Sequence, residues 1–195
     1  MNKRTGILCI ILGIACLASS VGITVYNSIS EKNALQSSDS MLSAVQQHIA
    51  DTPHIETTQP LSKEMATTQV DGYDCIGVLS IPVLDIELPV LTDWSYTKLK
   101  VAPCLYYGNY CEPDFVIAAH NYKSHFGRLS QLQSKDIITF TDVSGNVYLY
   151  EVVLLETLAE NATEEMITSG FDLSLYTCTT GGGSRVTVRC NTVKK

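Results

Sequence analysis

The chain has 195 residues, which is enough for one ordinary domain and an additional segment. It carries 13 basic and 20 acidic residues, for a formal charge of −7. This balance argues against nucleic-acid binding, because that affinity comes largely from Lys and Arg replacing counterions. With 12 glycines, 6 prolines and no repeat of fixed period, collagen-like, low-complexity and solenoid classes are excluded.

The apolar residues concentrate near the N-terminus. No charged residue occurs over 7–25, and Lys3 and Arg4 precede this run. At ~1.5 Å per residue, such a run is just long enough to cross the core of a bilayer. Positive charge before the run places the N-terminus in the cytoplasm. We therefore predict a cytoplasmic tail over 1–6, a transmembrane signal-anchor over 7–26 and an extracytoplasmic remainder in a single-pass membrane protein.

Two alternatives exist for this apolar run. The sequence Ala-Cys-Leu-Ala at 15–18 resembles the small-residue cleavage site of a secretory signal peptide, and Cys16 invites a lipoprotein interpretation. The run continues to Val25, however, beyond the ~7–15-residue core of most signal peptides. Cleavage at Cys16 would also leave a stray apolar tail. These features favour a retained anchor.

The segment 27–70 is rich in Ser, Thr, Gln and Asn. Its low apolar content after Pro53 predicts an extracytoplasmic stalk or linker. The alternative is an N-terminal helix over 28–49 that packs on the following domain.

From Asp71 onward, short β-type runs alternate with turn residues. We predict strands at 75–81, 86–91, 115–119, 137–141, 147–155, 173–178 and 185–190, and short helices at 97–100 and 126–133. Seven to eight strands with little helix predict a mainly β fold, a closed or nearly closed antiparallel barrel over 71–195.

Five of the seven cysteines lie outside the predicted membrane segment: Cys75, Cys104, Cys111, Cys178 and Cys190. No pair among them has the short spacing that zinc sites favour, so we predict neither a metal site nor another cofactor. An odd number leaves at least one thiol unpaired unless two chains are joined. A disulfide between Cys104 and Cys111 is possible, and nothing in the sequence requires it.

Cys178 ends a predicted strand and precedes a glycine-rich loop, where a rigid side chain can meet an approaching substrate backbone. Arg185 begins the next strand, so the two would lie at the same end of the barrel. A guanidinium there can favour the thiolate and donate hydrogen bonds to an oxyanion. His120 ends another strand, and imidazole beside a thiol produces a nucleophile near neutral pH. Each residue alone could be structural; the combination indicates a nucleophilic site.

These residues carry a resemblance to the sortase family. The matching stretches are Leu-Ser-Leu-Tyr-Thr-Cys at 173–178, Arg-Val-Thr-Val-Arg at 185–189, Ala-Ala-His-Asn at 118–121 with Phe-Gly-Arg-Leu at 126–129, and Ile-Pro at 81–82 with Leu-Pro-Val at 88–90. They extend over about 75–190 in the family's order, and an N-terminal signal-anchor is common in that family.

The resemblance implies a role for each residue. Cys178 corresponds to the nucleophile, His120 to its acid–base partner, Arg185 to the oxyanion or substrate-positioning donor, and Thr177 to a substrate-binding residue beside the nucleophile. Two competitors remain in the sequence. Arg189 shares the strand face of Arg185 but lies ~13 Å farther from Cys178, and His125 falls in a loop.

The implied activity is that of a membrane-anchored cysteine transpeptidase. Such an enzyme cleaves a sorting motif resembling Leu-Pro-x-Thr-Gly, holds the product as a thioester and passes it to an amine of the cell wall or of a pilin. The expected partners are sorting signals of surface proteins or pilins, an amine of the peptidoglycan precursor or pilin, and the cytoplasmic membrane. Two other hypotheses remain: a secreted cysteine protease that hydrolyses the thioester, and a non-catalytic, membrane-tethered barrel.

Overall fold

The computed structural model describes residues 3–52 and 65–193. Within these ranges the helices and strands are α1 (Lys3–Asp51), β1 (Thr68–Val70), β2 (Tyr73–Ile81), β3 (Ile86–Leu91), β4 (Cys104–Tyr107), β5 (Phe115–Ala118), β6 (Ile137–Asp142), β7 (Val147–Ala159), α2 (Thr163–Ile167), β8 (Leu173–Cys178) and β9 (Ser184–Thr192). Short 3-10 turns occupy Pro82–Leu84, Lys98–Lys100 and Leu129–Gln131.

Eight strands form a closed barrel. Their order is β2-β3-β4-β5-β8-β9-β7-β6, and pairing of β6 with β2 closes the sheet. β1 pairs with the first residues of β2, before the stretch of β2 that pairs with β6. Closure satisfies the backbone groups that an open sheet would leave at its edges. The predicted fold class, a mainly β closed barrel with short helices after a long apolar helix, is confirmed.

Two pairs in the barrel are parallel, and for these the expectation of an antiparallel barrel was wrong. β5 runs parallel to β8 over four residue pairs, and β3 meets β4 in a parallel bridge at Leu91 and Cys104. Neither pair is formed by a hairpin: the connection 92–103 separates β3 from β4, and β6, β7 and α2 lie between β5 and β8 along the chain. The short β4, bounded by Pro103 and Gly108, was not predicted, and neither was α2.

The barrel core consists of the inward-facing apolar side chains. Phe115 and Phe140 are fully buried and pack edge to face, with ring centroids 5.3 Å apart. β5 is buried along its whole length, as expected for a strand with neighbours on both sides. Strands carrying catalytic candidates are therefore anchored in the most rigid part of the molecule.

α1 continues through much of the segment for which we expected a stalk. Four buried residues, Ala34, Ser38, Met41 and Val45, follow one another at intervals of three or four and so share one helix face. Met41 and Val45 pack in one apolar cluster with residues of β2, β3 and β4. The helix therefore rests on the barrel along its C-terminal part, whereas residues 53–64 of the stalk predicted over 27–70 lie outside the described residues.

The N-terminal half of α1 leaves the barrel, and its apolar side chains over 7–29 are exposed. Among the described residues, α1 is the helix that is long and apolar enough to cross a membrane, with a mean hydropathy of 2.4 in its most apolar window. This arrangement is consistent with a single-pass anchor.

Candidate active site

The parallel pairing of β5 with β8 determines which residues meet at the strand ends. Ala118 pairs with Tyr176, and the Ala119 N–H donates to the Tyr176 carbonyl at 3.1 Å. β5 ends at Ala118, and continuing its register for two more residues puts His120 level with Cys178. Cys178 thus ends β8, and His120 follows the end of the neighbouring strand β5.

Arg185 lies directly across from Cys178 in the antiparallel pair of β8 with β9. Its Nη1 donates hydrogen bonds to the carbonyls of Gly182, at 2.8 Å, and Ser184, at 3.1 Å. These bonds hold the guanidinium against the loop 179–183, which turns sharply because Gly181 and Gly182 adopt positive φ angles of 93° and 80°. Cys178 and Arg185 therefore pair across β8 and β9, and His120 follows the end of β5, the strand on the other side of β8.

Cys178 is exposed in a groove of about 340 Å³. The other residues that line the groove are Asn121, Phe126, Gly127, Ser130, Thr177, Thr179, Thr180 and Val186. An exposed thiol at the wall of a groove can be reached by an extended peptide.

Thr177 lines the groove beside the nucleophile, but its hydroxyl is already engaged. The side chain is 3% exposed, and its Oγ1 donates to the Ala119 carbonyl at 2.9 Å. This bond ties β8 to β5 immediately before Cys178 and His120. Its observed contact is thus a structural one, and substrate binding by Thr177 stays a prediction.

The His120 ring is half-buried and held on two sides. Its Nδ1 lies 3.0 Å from Oδ1 of Asn121, and its face stacks on Tyr122 with a centroid distance of 4.1 Å and an interplanar angle of 2°. Burial lowers the pKa of His120, the Asn121 contact opposes this shift, and the nearby charge of Lys100 lowers the pKa further. The ring is therefore mainly neutral at pH 7.

The segment 119–128, which we call the histidine loop, folds back on itself behind this ring. The Phe126 N–H donates to the His120 carbonyl at 3.2 Å, and the Gly127 N–H donates to the Tyr122 carbonyl at 2.8 Å. A Cβ at Gly127 would lie 2.5 Å from the Asn121 carbonyl oxygen. Only glycine permits this close approach, so Gly127 helps to position His120. Roles for Tyr122 and Gly127 in positioning His120 were not predicted from the sequence. Of the two, only Gly127 belongs to a recognisable motif, the Phe-Gly stretch at 126–127.

His125 is the other histidine of this loop, and its surroundings differ. It is completely buried, neither ring nitrogen has a hydrogen-bond partner, and burial lowers its pKa to about 4. The inaccessible, neutral ring cannot reach the groove. Geometry thus favours His120 over His125.

Arg189 is separated from the groove by its own contacts. It is 2% exposed, its Nε lies 2.7 Å from Oε1 of Glu156, and its Nη1 donates to Ser174 at 2.8 Å. Its Nη2 also donates to the carbonyl of Glu165 in α2, at 2.7 Å. Arg189 therefore ties α2 to β7 and β8, which leaves Arg185 as the guanidinium near Cys178.

The environment of His120 generates a prediction that needs no substrate. The pKa of His120 should lie below the ordinary value of ~6.5, and Lys100→Gln should raise it, because one of the charges that oppose imidazolium is removed. NMR titration of histidine-labelled protein in detergent, with His120→Gln to assign the resonance, measures both values. A pKa above 6.5, or no response to Lys100→Gln, would contradict the electrostatic description.

Comparison with known proteins agrees with this geometry. The family described as "Sortase domain" matches residues 79–193. No curated protein matches the chain. Several solved structures share its fold, and three of them illustrate the range.

A Clostridium perfringens Sortase D5 transpeptidase has 17% identity and a TM-score of 0.62, with 82% of this chain and 99% of that chain covered. Sortase A from Corynebacterium diphtheriae has 19% identity and a TM-score of 0.57, covering 91% and 96%. Streptococcus pneumoniae Sortase C has 21% identity and a TM-score of 0.56, covering 89% and 96%.

The family match extends over more than half of the chain and includes the strand ends that carry Cys178 and Arg185 together with His120. The barrel matches the fold of solved sortases along almost their whole length. The resemblance noted in the sequence is therefore confirmed, and the chain belongs to the sortase family.

Proposed function

We propose that the protein is a membrane-anchored cysteine transpeptidase in which Cys178 is the nucleophile. It cleaves a sorting motif resembling Leu-Pro-x-Thr-Gly, keeps the acyl group as a thioester and transfers it to an amine of the cell wall or of a pilin. The observation that supports this most strongly is the exposed Cys178 thiol in a groove, with Arg185 paired opposite it on β9 and His120 just after the end of the other neighbouring strand, β5.

In the first step, Cys178 Sγ attacks the scissile carbonyl and the C–N bond breaks. The contact between His120 Nδ1 and Asn121 Oδ1 favours the tautomer protonated at Nδ1, which leaves Nε2 free to accept the thiol proton. The resulting imidazolium gives that proton to the leaving amine. Stacking on Tyr122 keeps the ring in one orientation throughout.

Arg185 stabilises the negative charge that develops on the substrate oxygen. The two loop carbonyls that accept from its Nη1 fix the guanidinium before substrate arrives, and preorganised donors are more effective than mobile ones. Arg185 lines a small cleft with Tyr106 and Tyr176, and the remaining N–H groups of its planar fork are the ones that would turn toward the substrate oxygen.

A thioester suits an enzyme that works outside the cytoplasm. No ATP is available there, so the energy of the new peptide bond must come from the old one. The acyl-enzyme conserves that energy until an incoming amine attacks the thioester carbonyl and gives a proton to His120. The C–S bond then breaks, and the released Cys178 thiolate takes that proton from His120.

Intact-mass spectrometry of the full-length protein with a sorting peptide tests the nucleophile. Wild type should gain the mass of the acyl fragment and, with triglycine added, should release a peptide joined to triglycine. Cys178→Ala should show neither product, while the matched variant Cys111→Ala, which lacks another exposed thiol, should behave like wild type. Release of only the hydrolysed acid, even with excess triglycine, would identify a protease instead.

Substitution of Arg185 should lower activity, whereas substitution of Arg189 should lower stability. Arg185→Ala should lower kcat/KM by ~10²–10³, the usual loss for a preorganised oxyanion donor, with unchanged thermal unfolding. Arg185→Lys should recover little, because an ammonium lacks the planar fork. Arg189→Ala should instead lower the free energy of unfolding by about 3–5 kcal/mol, since it leaves the Glu156 pairing and buried carbonyls without a partner.

Kinetics and thermal unfolding of all three variants on one sorting peptide decide the matter. If Arg189→Ala is stable and correctly folded but lowers kcat/KM as much as Arg185→Ala does, the oxyanion role is misassigned.

A further inference from the structure

α1 passes from one side of the barrel to the histidine loop. Near its C-terminus, Ala50 lies with Ser80 and Glu87 beside the turn between β2 and β3. Nineteen residues earlier, the carboxylate of Glu31 accepts a hydrogen bond from the Lys123 N–H at 2.8 Å. The helix therefore leaves the barrel next to the loop that holds His120.

The apolar run ends close to this contact. Val25 is six residues before Glu31, which corresponds to ~9 Å along the helix axis. Tyr26 is close enough to Tyr122 for the two phenols to interact electrostatically, and Tyr122 stacks on His120. A headgroup layer is itself ~5–8 Å thick. If α1 is the anchor, the histidine loop thus lies at the surface of the membrane.

Exposed aromatic side chains lie in the connection 92–103, which also contains Lys100, whose charge acts on His120. Trp94 and Tyr96 are 39% and 77% exposed and contact each other, with ring centroids 5.5 Å apart. Trp94 also contacts Tyr106, which packs on Tyr176, two residues before Cys178. Trp and Tyr have an apolar body and a polar tip, and both are enriched at membrane–water interfaces. We call Trp94 and Tyr96 the aromatic patch.

The segments around the patch contain more basic than acidic residues, whereas the chain as a whole is acidic. The connection 92–103 and the histidine loop together contain Lys98, Lys100, Lys123 and Arg128 against one acidic residue, Asp93, which forms an ion pair with Lys98. Lys100 and Lys123 are both exposed. Of the nearby carboxylates, Glu31 accepts a hydrogen bond from the Lys123 N–H, and Glu160 lines a small cleft with Arg185. In a chain of net charge −7, this face is locally basic.

We propose that this face docks on the anionic headgroups of the membrane that holds α1. The aromatic patch enters the interface, Lys100 and Lys123 approach lipid phosphates, and Cys178 takes its substrate along the membrane surface. The proposal rests on the anchor in the proposed function and goes beyond its chemistry, because it assigns a lipid-binding surface. Attraction between Lys side chains and anionic lipids falls off within a Debye length, so high salt should weaken the docking.

Trp94 provides a direct probe, since it is the only tryptophan in the chain. Full-length protein is reconstituted in nanodiscs of phosphatidylglycerol and phosphatidylcholine, with or without bromine on the upper acyl carbons. Brominated lipid should quench Trp94 emission at least twofold in anionic discs, and much less in pure phosphatidylcholine or at high salt. The double variant Lys100→Glu/Lys123→Glu should lose most of this quenching.

Two matched controls test the location. The first is Lys135→Glu, which reverses the charge of an exposed lysine just before β6. Because β6 pairs with β2 at Ser80, near the Ala50 end of α1, this variant should leave the quenching of Trp94 unchanged. The second is the double variant Trp94→Phe/Val83→Trp, which moves the tryptophan to the exposed turn between β2 and β3. This turn lies beside Ala50, ~28 Å along α1 from Glu31, so a tryptophan there should not be quenched.

Three results would overturn the docking: no quenching of Trp94 in anionic discs, equal quenching at position 83, or a Trp94 response to sorting peptide but not to brominated lipid. Cys178→Ala should be quenched like wild type. Quenching without transpeptidation would therefore refute only the proposed function, and transpeptidation without quenching would refute only the docking.

Discussion

The parallel pairing of β5 with β8 is the constraint on which the site depends. Both strands end at the groove, so one register fixes how far His120 stands from Cys178. The Thr177 hydroxyl bonded to the Ala119 carbonyl, at 2.9 Å, secures that register one residue before Cys178 and His120. A slip of β5 by one residue would move Phe115 and Ile117 out of the barrel core to the opposite face of the strand, which their packing opposes. Core packing thereby maintains the register of β5 against β8.

Around Cys178 and His120, separate groups hold in place the side chains for which we propose a chemical role. Tyr122, Asn121 and Gly127 hold the imidazole, and the loop carbonyls of Gly182 and Ser184 hold Arg185. The two other candidates are kept away from the groove: Arg189 is buried and pairs with Glu156, and burial lowers the pKa of His125. The exposed Cys178 thiol lines the groove, and α1 contacts the histidine loop through Glu31.

The sequence was informative where a residue's signal is local. Alternating apolar runs predicted seven of the eight barrel strands, and the strand-end positions of Cys178, His120 and Arg185 singled out the candidates. The parallel pairs could not be predicted, because pairing depends on contacts between distant segments. β4 was missed since four residues between Pro103 and Gly108 carry little periodicity. The packing of α1 over 34–45 was left as the alternative, because Ala34 and Ser38 on its buried face are not strongly apolar. Tyr122 had no signal, since stacking on His120 arises only from the loop conformation.

Disulfide trapping tests the adjacency of His120 and Cys178 most directly. Neighbouring strands lie ~4.8 Å apart, within the ~4.4–6.8 Å between Cα atoms that a disulfide allows. In a Cys111→Ser background, which removes the other exposed thiol of the barrel, His120→Cys should form a disulfide with Cys178 under mild oxidation. Peptide mass mapping should identify that bond, and His125→Cys should form none. Pairing of Cys178 with position 125, or a free Cys178 in the His120→Cys variant, would show that the β5–β8 register does not bring the two residues together.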